Sequence, residues 1–143
     1  MSHPSSELQT GARLFGKINE AKKIPLGQLG EALACRYLAR HGYRVIVKNY
    51  RTKLGEIDII AEEQGTLVFV EVKTRRGHQC GHPFEAVTPT KCRQISKVAL
   101  QYLAETGREG QAARFDVVAI SFAGEAAPVV ELAKNAFDLS YGV

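Results

Sequence analysis

The chain has 143 residues, 45% of them apolar and 24% charged, which suits a soluble globular domain with one hydrophobic core. That length buries roughly 70% of the surface an unfolded chain exposes without covalent staples, and no apolar run approaches the ~20 residues of a membrane helix. Nineteen Lys and Arg against fifteen Asp and Glu give a net charge of +4 and a pI near 9.1, a mild bias toward polyanions that many proteins without nucleic-acid partners share.

No basic segment followed by an apolar stretch opens the chain, so the cytoplasm is the default location. Three cysteines (Cys35, Cys80, Cys92) at unrelated spacings do not form a disulfide framework. His78, Cys80 and His82 alternate in a loop, but they lack a fourth ligand and the paired spacing of a zinc site.

Residues 1–25 read as a weakly ordered leader, with a short helical turn at most around Glu7–Phe15. A domain over 26–143 follows. Leu26, Gly30, Leu33, Ala34, Tyr37 and Leu38 recur at helical spacing, which predicts an amphipathic helix over Gln28–His41, ended by Gly42 and carrying Glu31 at the flank of its apolar stripe. Tyr43–Arg51, rich in Val, Ile and Tyr, reads as a strand. Thr52–Leu54 turns the chain into a second strand, Gly55–Ala61; Glu62–Gly65 is a hairpin loop, and Thr66–Thr74 a third strand. Arg75–Val87, with Gly77, Gly81 and Pro83, is a long irregular segment of the kind that is usually functional or mobile. Thr88 and Pro89 are an N-cap and first-turn pair. Ile95, Val98, Ala99, Tyr102 and Leu103 then define a helix over Pro89–Thr106, ended by Gly107. Arg114–Phe122 is a fourth strand and Val129–Leu132 a fifth. This order predicts an α/β fold: an antiparallel meander, a helical crossover to the far side, and a mixed central sheet with helices on its faces.

The chemistry concentrates on the hairpin of the second and third strands. Alternation puts Glu56, Asp58 and Ile60 on one face of the second strand, and Phe69, Glu71, Lys73 and Arg75 on one face of the third. If Ala61 opposes Thr66, Asp58 lies diagonal to Glu71; if Glu63 opposes Thr66, the two carboxylates face each other. Either register gathers Asp58, Glu71 and Lys73 on one surface, whereas a one-residue slip separates them. Paired carboxylates repel, and the remedies are a shared proton or a divalent cation. Hard oxygen ligands with open positions suit Mg²⁺ or Mn²⁺, which bind phosphate oxygens and acidify a bound water. Lys73 reaches the same place, as a cation orienting the water or stabilising the pentacovalent transition state, or as a general base. Glu31 is positioned to assist through a water.

Asp58, followed by Glu71-Val72-Lys73 on a neighbouring strand and preceded by a helical Glu31, resembles the PD-(D/E)xK nuclease superfamily, which includes restriction endonucleases and archaeal Holliday-junction resolvases. More closely, Gly30-Glu31, Asn49-Tyr50-Arg51, Gly55-Glu56-Ile57-Asp58, Phe69-Val70-Glu71-Val72-Lys73-Thr74-Arg75 and Arg114-Phe115-Asp116-Val117-Val118 resemble the YraN family of uncharacterised bacterial proteins. The likeness runs from about Leu26 to Phe137. Ile57 stands where the superfamily usually has a proline. The resemblance implies a restriction-endonuclease-like three-layer fold, with about five strands in a mixed central sheet flanked by helices. It also implies a metal held by Asp58, Glu71 and the backbone carbonyl of Val72.

Plainer readings stand beside these. Asp58 as an exposed edge residue conflicts with its apolar neighbours Ile57, Ile59 and Ile60. Glu71 and Lys73 taken alone also fit a solvated strand face or a simple ion pair, and Glu31 an ordinary helix flank. Glu56 pairs structurally with Lys73 or Arg75. Arg75, Arg76, His78, Lys91, Arg93 and Lys97 cluster after the third strand and along the second helix; Arg75, Arg76, Lys91 and Arg93 are the candidate phosphate contacts, Lys91 foremost because it sits in the first helical turn. Asp116 supports either the fold or the site. Tyr43, Tyr50 and Phe69 suit the core better than base stacking. The expected function is Mg²⁺- or Mn²⁺-dependent cleavage of nucleic-acid phosphodiesters, with DNA (branched DNA included) preferred over RNA. Its rival is a non-catalytic nucleic-acid-binding module on the same fold. Junction-cleaving relatives act as dimers, which makes a homodimer a reasonable expectation.

Overall fold

The computed structural model describes residues 24–77 and 87–138. The predicted leader, the turn at Glu7–Phe15 and the His78/Cys80/His82 trio lie outside these residues, apart from the last two residues of the leader. Among the described residues seven elements follow one another: α1 (Leu26–Arg40), β1 (Arg44–Thr52), β2 (Gly55–Glu63), β3 (Thr66–Arg76), α2 (Pro89–Thr106), β4 (Ala113–Phe122) and β5 (Val129–Phe137). The strands form one sheet in the order β1-β2-β3-β4-β5. Only β3 and β4 run parallel, because α2 carries the chain over the sheet between them; the other neighbours are antiparallel.

The helices occupy opposite faces. Ala34 and Leu38 of α1 pack on Ile59, Ala61, Val68, Val70, Val118 and Ile120. On the other face Ile95, Val98, Ala99 and Tyr102 of α2 cover Ile57, Ile60, Leu67, Phe69 and Phe115. The central strand β3 therefore reads Leu67-Val68-Phe69-Val70 without polar interruption, each residue buried against one helix or the other. This is the three-layer α/β/α arrangement expected of a restriction-endonuclease-like fold. Among the described residues no helix is long and apolar enough to cross a membrane.

Local chemistry explains the boundaries. Thr88 caps α2 by accepting the Lys91 N–H at 3.2 Å, and Gly107 ends the helix at φ +69°. α1 begins after Pro25 without a side-chain cap. Gly30 lets it settle onto the sheet, since a Cβ there would collide with the Thr74 hydroxyl.

Several expectations need correction. Strand β2 continues through Glu63, so the hairpin is a two-residue turn at Gln64 and Gly65, whose φ angles of +49° and +81° match the right-handed twist of the flanking strands. Arg75 and Arg76 belong to β3, paired with Ser121 and Phe122 of β4, and not to the irregular segment. Strand β5 runs on to Phe137, past Leu132 where the sequence pattern suggested its end.

Alternation also fails where it matters most. In β2, Ile60 and Ile57 both pack under α2 although they are three residues apart. In β1, Val47 and Tyr50 do the same. Between them sits Asn49, whose φ of +53° is left-handed, flanked by the pairs Lys48↔Ile59 and Tyr50↔Ile57. The shared face predicted for Asp58 and Ile60 is thus broken: Asp58 lines a cleft against α1 together with Ile59 and Lys48.

Candidate metal and phosphodiester site

The observed register pairs Glu63 with Thr66 and ends at Ile59↔Val70. Carried one step further, it sets Asp58 level with Glu71, the directly facing arrangement of the two the sequence allowed. The ladder between β2 and β3 stops there, and the strands part. The Asp58 Oδ2 accepts the Val72 N–H at 2.8 Å, replacing the missing strand partner. The N–H and C=O of one strand residue project toward the same edge, so the Val72 carbonyl opens into the same fork.

Asp58 and Glu71 approach within hydrogen-bond reach of each other. Burial disfavours charge on both and raises both carboxyls above their ordinary range; for Glu71 burial and then the Asp58 charge push it up to about 8. Asp58 is pulled back chiefly by the Val72 N–H, while the charge of Glu56 raises it further. Without a cation, sharing one proton relieves the repulsion between two adjacent, partly buried carboxylates.

The other predicted residues fall around this fork. Lys73 is exposed, two residues beyond Glu71, and its charge favours the Glu71 carboxylate. Lys91 joins the site itself: its Nζ lies 3.9 Å from Glu71 Oε1. Glu31 reaches the cleft from α1, where burial first and the Asp58 charge second raise its carboxyl. Arg75 lies two residues beyond Lys73 on β3, and Arg76 is exposed at the strand's end. Arg93 points elsewhere, donating to Thr90 Oγ1 at 3.2 Å. Glu56 pairs with Arg51, 3.4 Å away, a partner the sequence had not suggested.

Asp116 belongs to the fold. Fully buried, it accepts hydrogen bonds from the Tyr43 hydroxyl (2.8 Å), the Arg114 Nε (3.0 Å) and the Asn135 N–H (2.9 Å). Tyr43 and Phe69 are buried, and Tyr50 packs against the α2 core while donating to Glu105. None of the three is offered to a base.

Three site neighbours were not among the candidate site residues, although Asn49 lies in one of the family-like motifs. Asn49 stands beside Glu31 and Glu56. Lys48 and Cys35 line the Asp58 cleft. Asn49 had a detectable signal, an Asn inside a β-rich run, which is disfavoured in strands and tolerant of positive φ; Lys48 and Cys35 had none.

Does this donor set fit a cation? Among the described residues no three His, Cys, Asp or Glu side chains converge closely enough to cage one. Two carboxylates and a backbone carbonyl, all hard oxygens, leave several positions for water and phosphate. That is the incomplete set Mg²⁺ accepts, and a poor one for a caged Ca²⁺ or Zn²⁺.

The family model described as the uncharacterised protein family UPF0102 matches residues 30–120, from the middle of α1 almost to the end of β4. The chain belongs to the UPF0102 (YraN) family. A UPF0102 protein of Geotalea uraniireducens is 52% identical over 86% of this chain and 97% of its own length. One from Geobacter sulfurreducens is 53% identical over 81% and 91%, and one from Chlorobium phaeobacteroides 53% identical over 66% and 75%. The matched region of this UPF0102 chain contains every residue of the fork: Glu31, Asn49, Glu56, Asp58, Glu71, Val72, Lys73 and Lys91.

Proposed function

We propose that this UPF0102 protein hydrolyses nucleic-acid phosphodiester bonds with Mg²⁺ or Mn²⁺, and that DNA, branched forms included, is preferred over RNA. The observation that carries this reading is the meeting of two partly buried carboxyls, Asp58 and Glu71, at the fork between β2 and β3 with two lysines beside them. Asp58, Glu71 and the Val72 carbonyl would hold the cation, which when bound supplies positive charge against a phosphoryl oxygen and makes a water it holds more acidic.

The chain's own residues supply the rest. The Val72 N–H fixes the Asp58 carboxylate through Oδ2, in the fork that it shares with Glu71. Lys73, exposed at the mouth, orients the attacking water and offsets charge that builds on the phosphorus centre. Lys91 Nζ stands 3.9 Å from Glu71 Oε1 and is placed to meet a substrate phosphate. Glu31 adds negative charge on the α1 side, and Arg75 and Arg76 extend the cationic surface along β3.

The test is a cleavage screen of the parent and Asp58→Ala on branched, single-stranded and duplex DNA and on RNA, each in Mg²⁺, Mn²⁺ or EDTA. Metal-dependent products that disappear in Asp58→Ala are the expected result and name the substrate class. Salt-sensitive gel shifts without products on any substrate would replace the nuclease by a binding module.

A further inference from the structure

Asn49 has two unusual features at once. It is a non-glycine residue in a strand with a left-handed backbone, φ +53°, a conformation with a real steric cost that persists where the surroundings impose it. Its side-chain amide also sits between two carboxylates. Oriented with its NH₂ toward them, the amide places its nitrogen 3.2 Å from Glu31 Oε2, 3.3 Å from Glu31 Oε1 and 3.0 Å from Glu56 Oε1. Both neighbours only accept hydrogen bonds, so the amide faces them with its NH₂, and its two hydrogens match the two carboxylates.

The backbone feature has its own consequence. Asn49 lies between the pairs Lys48↔Ile59 and Tyr50↔Ile57, hence across from Asp58. At this level the alternation of both strands slips by one residue, and Asp58 turns from the Ile60 face into the cleft shared with Glu31. A strand that kept strict alternation here would put Asp58 beneath α2, away from Glu31.

We propose that Asn49 is a positioning residue: its left-handed backbone turns Asp58 into the cleft, and its amide clamps Glu31 and Glu56 so that Glu31 stands beside Asp58. This rests on the cation-site reading above and deepens it. Three carboxylates (Glu31, Glu56 and Asp58) crowd this side of the fork, and Glu56 is already drawn outward by Arg51. A neutral double donor holds Glu31 and Glu56 together without neutralising either. A lysine in its place would compete with the cation, and an aspartate would repel both neighbours.

The two roles separate by substitution. Asn49→Gly accepts positive φ freely and deletes only the amide. Asn49→Asp tolerates the same backbone but replaces the donor by an acceptor. Mn²⁺ affinity, read by electron paramagnetic resonance of the free ion, would be measured for the parent, both variants, Glu31→Gln, the double variant Asn49→Gly/Glu31→Gln and Asp58→Ala, beside thermal melts. Expected are a parent-like melt for Asn49→Gly with Mn²⁺ binding several-fold weaker, a larger loss for Asn49→Asp, and no further loss when Asn49→Gly is added to Glu31→Gln. That non-additivity is what action through Glu31 requires and a merely structural residue would not give. Unchanged Mn²⁺ affinity in Asn49→Gly, or losses that add to those of Glu31→Gln, overturns the proposal while the cation site stands. A parent that binds no Mn²⁺, with Asp58→Ala indistinguishable from it, overturns the cation-site reading and the proposal with it.

Discussion

The Asp58 carboxylate takes the Val72 N–H at the point where β2 and β3 stop pairing, so a side chain completes a hydrogen bond that the sheet has given up. One interaction thereby satisfies a backbone donor, fixes a carboxylate and holds the fork open. Asp58→Asn offers an oxygen to the same N–H and removes the charge. It is expected to keep the fold, with a melting temperature at or above that of the parent in EDTA, and to lose Mn²⁺ binding. A drop of Tm on the scale of a lost buried hydrogen bond, about 1–3 kcal/mol, would mean that the charge itself holds the strands.

The raised carboxyl of Glu71 makes the metal-free protein pH-sensitive in a defined direction. The folded state holds its proton up to about pH 8, whereas an unfolded glutamate releases it near 4.5. Between those values the native state binds more protons than the unfolded one, so stability in EDTA falls as pH rises from about 4.5 to about 8 and then levels off. Each unit of displacement is worth about 1.4 kcal/mol at most. Glu71→Gln should flatten this slope and be the more stable protein at pH 8.5. Thermal melts of both proteins in EDTA across pH 5–9 measure it; parallel curves would show that Glu71 is ionised throughout.

Cation binding must displace the shared proton, which gives the same pair a second signature. Mn²⁺ affinity should climb through the pH 6–8.5 range with release of up to one proton per ion. Because a ligand of the native state stabilises by mass action, the rise in Tm on adding Mn²⁺ should be larger at pH 8.5 than at pH 6. Titration calorimetry in buffers of different ionisation enthalpy counts the protons, and zero release at pH 7 would rule out the shared proton.

Much of this was legible in the sequence, for physical reasons that can be named. The α2 helix announced itself through Thr88, Pro89, an apolar stripe and Gly107, all local signals, and its bounds agree with the structure. The Asp58–Glu71 encounter was readable as one of two registers; choosing between them needed the turn, and Gln64-Gly65 lacks the Asn or Asp that usually marks one with two positive φ angles. The break in alternation at Asn49 was only half readable: an Asn inside a β-rich run tolerates positive φ, but composition does not say that it adopts one and inverts the faces of its neighbours. Strand β5 was cut short for a related reason. Asn135, at φ +52°, interrupts the apolar pattern, but its N–H is captured by Asp116 and the strand resumes to Phe137, stacked on Phe115.

That Asp116 network separates fold from function. The carboxylate is fully buried, and Arg114 also holds Glu63 at 2.6 Å and the Tyr43 hydroxyl at 3.1 Å. Replacing Asp116 by Ala leaves a guanidinium and a phenol without their shared acceptor, and breaking a buried pair on one side costs on the order of 3–5 kcal/mol. Against a total of about 5–15 kcal/mol this approaches unfolding. Asp116→Asn, which keeps acceptor capacity, should lose less and still bind Mn²⁺ like the parent at 10 °C. A selective loss of Mn²⁺ affinity with an unchanged melt would instead attach Asp116 to the site.

The seating of α1 provides the last test. An alanine at Gly30 gains about 1 kcal/mol of helix propensity, but its methyl would meet the Thr74 hydroxyl well inside contact distance. Thr74 is β-branched and stiff about χ1, so moving its hydroxyl aside brings its own cost. Overpacking costs about 1–3 kcal/mol, and it outweighs the propensity gain. Gly30→Ala should therefore melt lower, and because it lifts α1 off β3 it should also draw Glu31 away from Asp58 and weaken Mn²⁺ binding. Thr74→Ala removes the obstructing hydroxyl and methyl, so the double variant should recover both stability and affinity. Recovery of the melt without recovery of Mn²⁺ affinity would show that Thr74 serves the site directly; recovery of neither would mean that α1 is held against the sheet by contacts other than Gly30 on Thr74.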